Sequence, residues 1–134
     1  YLYSKKNAHM VFIEIIEIII KLGVGLSILN VWLIKRDKET PFRGGGAMSM
    51  QEEFMSYGLS KKSMIAVGTF KCLFAVLLLI SIFYSSNVLE YAGAIGIAVL
   101  MSGAILMHVK ISDPVKKSIP AALFLVLSIA VLFL

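Results

Sequence analysis

Residues 64–109, MIAVGTFKCLFAVLLLISIFYSSNVLEYAGAIGIAVLMSGAILMHV, hold the pattern from which the fold follows. Two apolar runs, 64–83 and 91–109, are separated by a short polar stretch at Ser85, Ser86 and Asn87. A helix rises about 1.5 Å per residue, so roughly 20 apolar residues cross a hydrocarbon layer of about 30 Å. Each run has that length, and so short a gap suits a tight turn between neighbouring helices. The stretch therefore reads as a transmembrane hairpin.

On either side of the hairpin lie two more apolar runs, 11–34, stopped by Lys35, Arg36, Asp37, Lys38 and Glu39, and 115–134. Pro114 falls near the first turn of the last run, where a missing N–H is harmless, whereas Pro120 lies further in and is expected to bend the helix. Asp113, just before Pro114, is expected to cap that helix. Composition agrees with a lipid environment: of 134 residues, 59% belong to the AVILMFWYC set and 16% are charged. The mean hydropathy of +0.90 lies outside the range of soluble domains. These features predict one all-α domain, an integral membrane four-helix bundle with the lipid bilayer as its solvent.

The net charge of +5 comes from basic residues in loops beside the apolar runs. Anionic headgroups are their nearest partner there, and nucleic acid is not expected to be one. The single Cys72 excludes an internal disulfide and a CxxC dithiol, and reads as a small packing residue. Residues 1–9 lack the pattern of a signal peptide, and Met10 is a candidate for the native start.

The connection at 35–63 is too long for a bare turn. Gly44, Gly45 and Gly46 break any helix there and read as a hinge, with an anion cradle as the alternative. Beyond them Met50, Phe54 and Tyr57 share one helical face opposite Gln51, Glu52 and Glu53, which predicts a short interfacial amphipathic helix between the first two spans, stopped by Gly58. Orientation follows from charge. Lys35, Arg36, Lys38, Arg43, Lys61, Lys62, Lys110, Lys116 and Lys117 fall on one side, against Lys5 and Lys6 on the other. This predicts a cytoplasmic (inner) membrane protein with both termini outside the cytoplasm and the 35–63 insert inside it.

Polar residues within apolar spans are the candidate functional residues, because burying them in hydrocarbon is costly. Glu14, Glu17 and Lys21 form one stripe of the first span, with Glu17 and Lys21 in the favourable i, i+4 order. The glutamates either lie in the membrane or, if the span starts near Ile18, in its outer interface. Lys71, deep in the second span, is expected to find an acceptor in Glu17 or Glu14 unless it snorkels outward. Asn30 is expected to seek an interhelical hydrogen bond, and Trp32 to anchor an interface. His108, without a second ligand at helical spacing, is no metal signal and reads as an interfacial hydrogen-bonding or proton-relaying group. Gly93, Gly96 and Gly103 lighten one side of the third span and predict its place inside the bundle.

The order of these features resembles the DoxX-like family of small bacterial membrane proteins. The resemblance rests on EEFMSYGLSKKSMIAVGTFKCLFAVLLL, AIGIAVLMSGAILMHVKISDP and IPAALFLVLSIAVLFL, and on Phe54, Gly58, Leu59, Gly68, Met101, Gly103, His108, Asp113 and Pro114 within or beside them. Ser60 stands where the family pattern has proline. Lys71 stands where many relatives carry glutamate, so an acid-dependent activity at that point does not transfer. The resemblance implies a four-helix membrane fold and association with quinone-linked oxidoreductases, such as those of thiosulfate oxidation. In distant relatives it implies a chaperone-like role.

No catalytic constellation is present, and no activity of the chain on its own is expected. The leading expectation is an accessory subunit that binds a quinone-like or other amphipathic ligand, or a redox partner, through Glu14, Glu17, Lys21, Asn30, Lys71 and His108. The alternatives are a structural or assembly factor for another membrane protein and a small transporter, the latter calling for a homo-oligomer because internal repeats are lacking.

Overall fold

The computed structural model describes residues 2–84 and 86–134, with side chains from residue 7 onward. The Lys5 and Lys6 side chains, used to assign orientation, and Ser85 of the polar turn lie outside the described residues. The chain runs α1 (Leu2–Leu29), a π turn (Asn30–Ile34), a glycine turn (Gly44–Gly46), α2 (Met50–Ser56), α3 (Lys61–Ile80), α4 (Asn87–Lys110), a 3-10 turn (Val115–Ser118) and α5 (Ile119–Phe133). Of the described helices, α3, α4 and the segment Val115–Phe133 are long and apolar enough to cross a bilayer. The first predicted span differs: α1 is longer, but Glu14, Glu17 and Lys21 interrupt its apolar run.

Serines set the helix starts. The Ser60 and Ser86 hydroxyls accept the Ser63 and Leu89 N–H groups, so α3 and α4 begin a few residues before their apolar runs. Ser60, the departure from the family pattern, is thus a working N-cap. Pro120 lies in the first turn of α5 and removes no hydrogen bond. The expected bend is absent because the 3-10 turn takes up Val115–Ser118 and α5 starts later than its sequence suggests.

Helix α4 packs between α3 and α5, and α1 closes the bundle against α3 and α5. A Cβ on Gly93 would lie 2.9 Å from the Leu78 backbone nitrogen, so this glycine sets the close approach of α3 and α4. Val24, Ile28, Ala75, Leu78, Ala94 and Ile97 fill the core. Phe70, Val99, Leu123 and Val126 stay exposed on the outer faces, as expected of helices solvated by lipid.

The amphipathic stripe of α2 is present, but Met50, Phe54 and Tyr57 are buried against protein, whereas an interfacial helix turns such a face to lipid. Trp32 explains the difference. In the π turn, Lys35 N–H reaches back to Asn30 O, and the Trp32 ring turns inward to meet Phe54 edge-on at 5.9 Å. Trp32 is therefore 7% exposed, a core residue in place of the expected interfacial anchor. A Cβ on Gly68 would collide with the same ring, so α3 needs a glycine there.

Arg43 ties the insert together. Its buried guanidinium donates to Lys35 O at 2.9 Å, Arg36 O at 3.0 Å and Glu53 Oε2 at 3.2 Å, while Nε donates to Lys38 O at 3.0 Å. The expected glycine hinge is pinned as well: Gly45, at φ 64°, donates its N–H to Asp113 Oδ1 at 3.1 Å. The first and third connections therefore meet at one end of the bundle.

Candidate functional site

The polar residues gather into two clusters at opposite ends of α4. Glu90 and His108 mark these ends and, at helical rise, stand about 27 Å apart, close to a hydrocarbon thickness of about 30 Å.

At one end Lys21 Nζ lies 3.4 Å from Glu17 Oε1 and 3.0 Å from Glu90 Oε1. Helix α1 places Glu17 and Lys21 one turn apart, and the Ser86 cap fixes the first turn of α4, from which Glu90 reaches across. The lysine is 5% exposed, so the ion triad is largely sheltered. Beside it opens a cavity of about 510 Å³. Glu14, Glu17, Lys21, Glu90 and Tyr91 supply polar groups, and Val131 and Leu132 apolar wall. Three carboxylates against one ammonium suit a ligand head able to donate hydrogen bonds, while Lys21 and Tyr91 can donate to an acceptor.

At the other end His108 Nδ1 is 2.8 Å from Asp113 Oδ2. Ser112 makes this possible. Its positive φ of 58° ends α4, with Asp113 N–H on His108 O at 2.9 Å, and turns the aspartate back toward the imidazole. Asp113 thus serves His108 and Gly45, and the expected cap on the following helix is not formed. Burial pushes the Asp113 carboxyl up, but the His108 hydrogen bond, the Gly45 N–H and the Lys117 ammonium outweigh it and hold the carboxyl below its ordinary value. Tyr57 stacks edge-on to His108 at 5.8 Å and donates its hydroxyl to Glu53 Oε1 at 2.7 Å. Burial first, then Glu53, raises the phenol above its ordinary range. Lys110 Nζ closes the cluster on Tyr57 O at 2.9 Å.

The sequence candidates therefore divide. Glu14, Glu17 and Lys21 share the first cluster, and His108 belongs to the second. Lys71 does not meet Glu14 or Glu17, which lie at the far end of the bundle; its ammonium sits 5.3 Å from the centroid of the Trp32 ring. Asn30 opens the π turn and lines neither cluster. Sequence reasoning missed Glu90, Arg43, Glu53 and Tyr57 as polar partners. Glu90 had a usable signal, an acid in the first turn of an apolar helix, where the dipole favours it and a buried lysine needs it.

Apolar helices with polar clusters at their ends define a small multi-pass membrane protein. Residues 45–131 match the model of the DoxX-like family, and the chain belongs to that family. The match begins within the glycine turn and ends in α5, so both His108 and Glu90 fall inside it. No curated protein and no solved structure matches the chain.

Proposed function

We propose that this chain is a four-span accessory protein of the cytoplasmic membrane that takes a quinone-like or other amphipathic ligand into the cavity beside Lys21. In this reading α1 is the fourth crossing, from near Ile18 to the π turn, with Glu14 and Glu17 in the outer interface. The insert and the α4–α5 turn face the cytoplasm, and both termini face out.

The observation that carries the reading is the convergence of Glu17, Lys21 and Glu90 at the edge of a roughly 510 Å³ cavity with an apolar wall. Its size falls within that of small-molecule sites; its lining is mainly polar, and Val131, Leu132 and Ile18 supply the apolar part against which a tail can lie. An amphipathic molecule would leave its tail against Val131 and Leu132 and present its head to Lys21 and Tyr91. A quinone undergoing reduction takes up protons, and the carboxylates sharing Lys21 are placed to hold one. Electrons would come from a partner membrane protein or redox protein.

Purified protein, reconstituted with a short-tailed ubiquinone, tests this. Retained quinone per chain should fall severalfold in Lys21→Leu and in Glu90→Gln. Equal retention by wild type and both variants would sink the reading.

One observation favours a structural or assembly role instead. Lys21 is already paired with two carboxylates, so its burial is explained without a ligand. A variant with Glu17→Gln, Lys21→Leu and Glu90→Gln together would then keep full function in the host.

A further inference from the structure

We propose that the groove between the end of α1 and the start of α3 is a binding site for one anionic phospholipid. The groove, about 290 Å³, lies at the insert end of the bundle, away from the cavity beside Lys21. Its walls are Leu33, Met64, Ile65 and Cys72, its back is Trp32 over Gly68, and Arg36 stands at its mouth.

Three features point to this occupant. Ile65, Thr69 and Cys72 fall on one helical face of α3, and Lys62, one turn before Ile65, extends that face past the groove mouth. From Lys62 to Cys72 the face runs about 15 Å, half of a hydrocarbon layer of about 30 Å. One leaflet's acyl chain matches that length. Second, the groove grades from apolar depth to a cationic mouth, as a lipid with a charged head requires.

Third, the cations are free to serve. No described carboxylate pairs with Arg36 or Lys62, whereas Lys21 has two and Arg43 and Lys117 have one each. The Arg36 carbonyl accepts Met50 N–H at 2.8 Å and Arg43 Nη2 at 3.0 Å, while the residue itself is exposed. The Thr69 hydroxyl is satisfied within its helix by Ile65 O at 2.7 Å and makes no demand on a ligand. The π turn is what builds the groove. It rotates Trp32 inward to form the back wall and leaves Leu33 on the rim.

Trp32 is the sole tryptophan of the chain, so its fluorescence reports on this groove. The protein is reconstituted in phosphatidylcholine vesicles carrying, at equal mole fraction, acyl-brominated phosphatidylglycerol or acyl-brominated phosphatidylcholine. Brominated phosphatidylglycerol should quench Trp32 more strongly. Arg36→Gln and Lys62→Gln should each cut that headgroup preference by about fivefold, the weight of one basic side chain near an anionic surface. Lys116→Gln, on the α4–α5 turn, should leave it intact. Thr69→Phe, which fills the groove from an exposed position, should lower quenching by both lipids.

Equal quenching by the two lipids in wild type would overturn the proposal. So would a preference that survives Arg36→Gln with Lys62→Gln, quenching untouched by Thr69→Phe, or a loss in Lys116→Gln as large as in Arg36→Gln, which would mean diffuse surface charge. A variant that fails to fold is recognised by a red-shifted Trp32 emission, and the Thr69→Phe result then decides.

Discussion

Single residues at the insert end hold more of the structure than their spacing suggests. Ser112 takes a left-handed conformation that glycine adopts freely and other residues resist by about 1–2 kcal/mol. Ser112→Gly should therefore stabilise the protein by about 1 kcal/mol, read as a higher melting temperature in detergent. Tyr57→Phe removes the hydroxyl from a sheltered Glu53 oxygen and should destabilise by roughly 1–2 kcal/mol. In the intact protein Tyr57 should stay protonated in alkaline buffer where a free tyrosine ionises, which ultraviolet titration measures. Asp113 gives an acid-side prediction. Its carboxyl is held below the ordinary value, so its contribution to stability is present above that value and is lost as pH falls through the lower, folded one. Melting temperature followed below about pH 4 should fall more steeply in wild type than in Asp113→Asn. None of these roles was visible in the sequence, because Ser112 acts through backbone geometry, the Asp113 carboxylate through partners that only the folded turn brings to it, and Tyr57 through a glutamate held by α2.

At the scale of elements, the apolar runs gave away α3, α4 and the α5 segment because lipid solvation demands length and hydropathy, which a sequence displays directly. The π turn left no such trace: NVWLI is as apolar as its surroundings, and only the tertiary contact of Trp32 with Phe54 and Gly68 gives the wider turn its purpose. The amphipathic stripe of α2 was legible and its counterpart was not, since a buried face reads alike whether lipid or protein covers it. Gly68→Ala tests the coupling. The added methyl meets the Trp32 ring, and overpacking of this kind should destabilise by about 1–3 kcal/mol. Combining it with Trp32→Leu should recover part of the loss, shown by comparing melting temperatures of the single and double variants.

For the molecule as a whole, the charged stripe on α1 was readable as a stripe, but its completion by Glu90 required knowing that α4 starts beside it. The triad should behave as a unit. Lys21→Leu leaves two sheltered carboxylates facing each other and should destabilise more than replacing Glu17, Lys21 and Glu90 together by Gln, Leu and Gln. Thermal melting of the two variants gives the order. The insert's attachment to the α4–α5 turn has a consequence for biogenesis. The Gly45 N–H and its Asp113 acceptor are 68 residues apart in the chain. A ribosome releasing this protein exposes the insert long before the turn that receives it exists. Newly made chains truncated before His108 should therefore leave the bonds around Arg43 open to trypsin, and full-length chains should close them, making protease resistance of the insert a clock for the last helices to arrive.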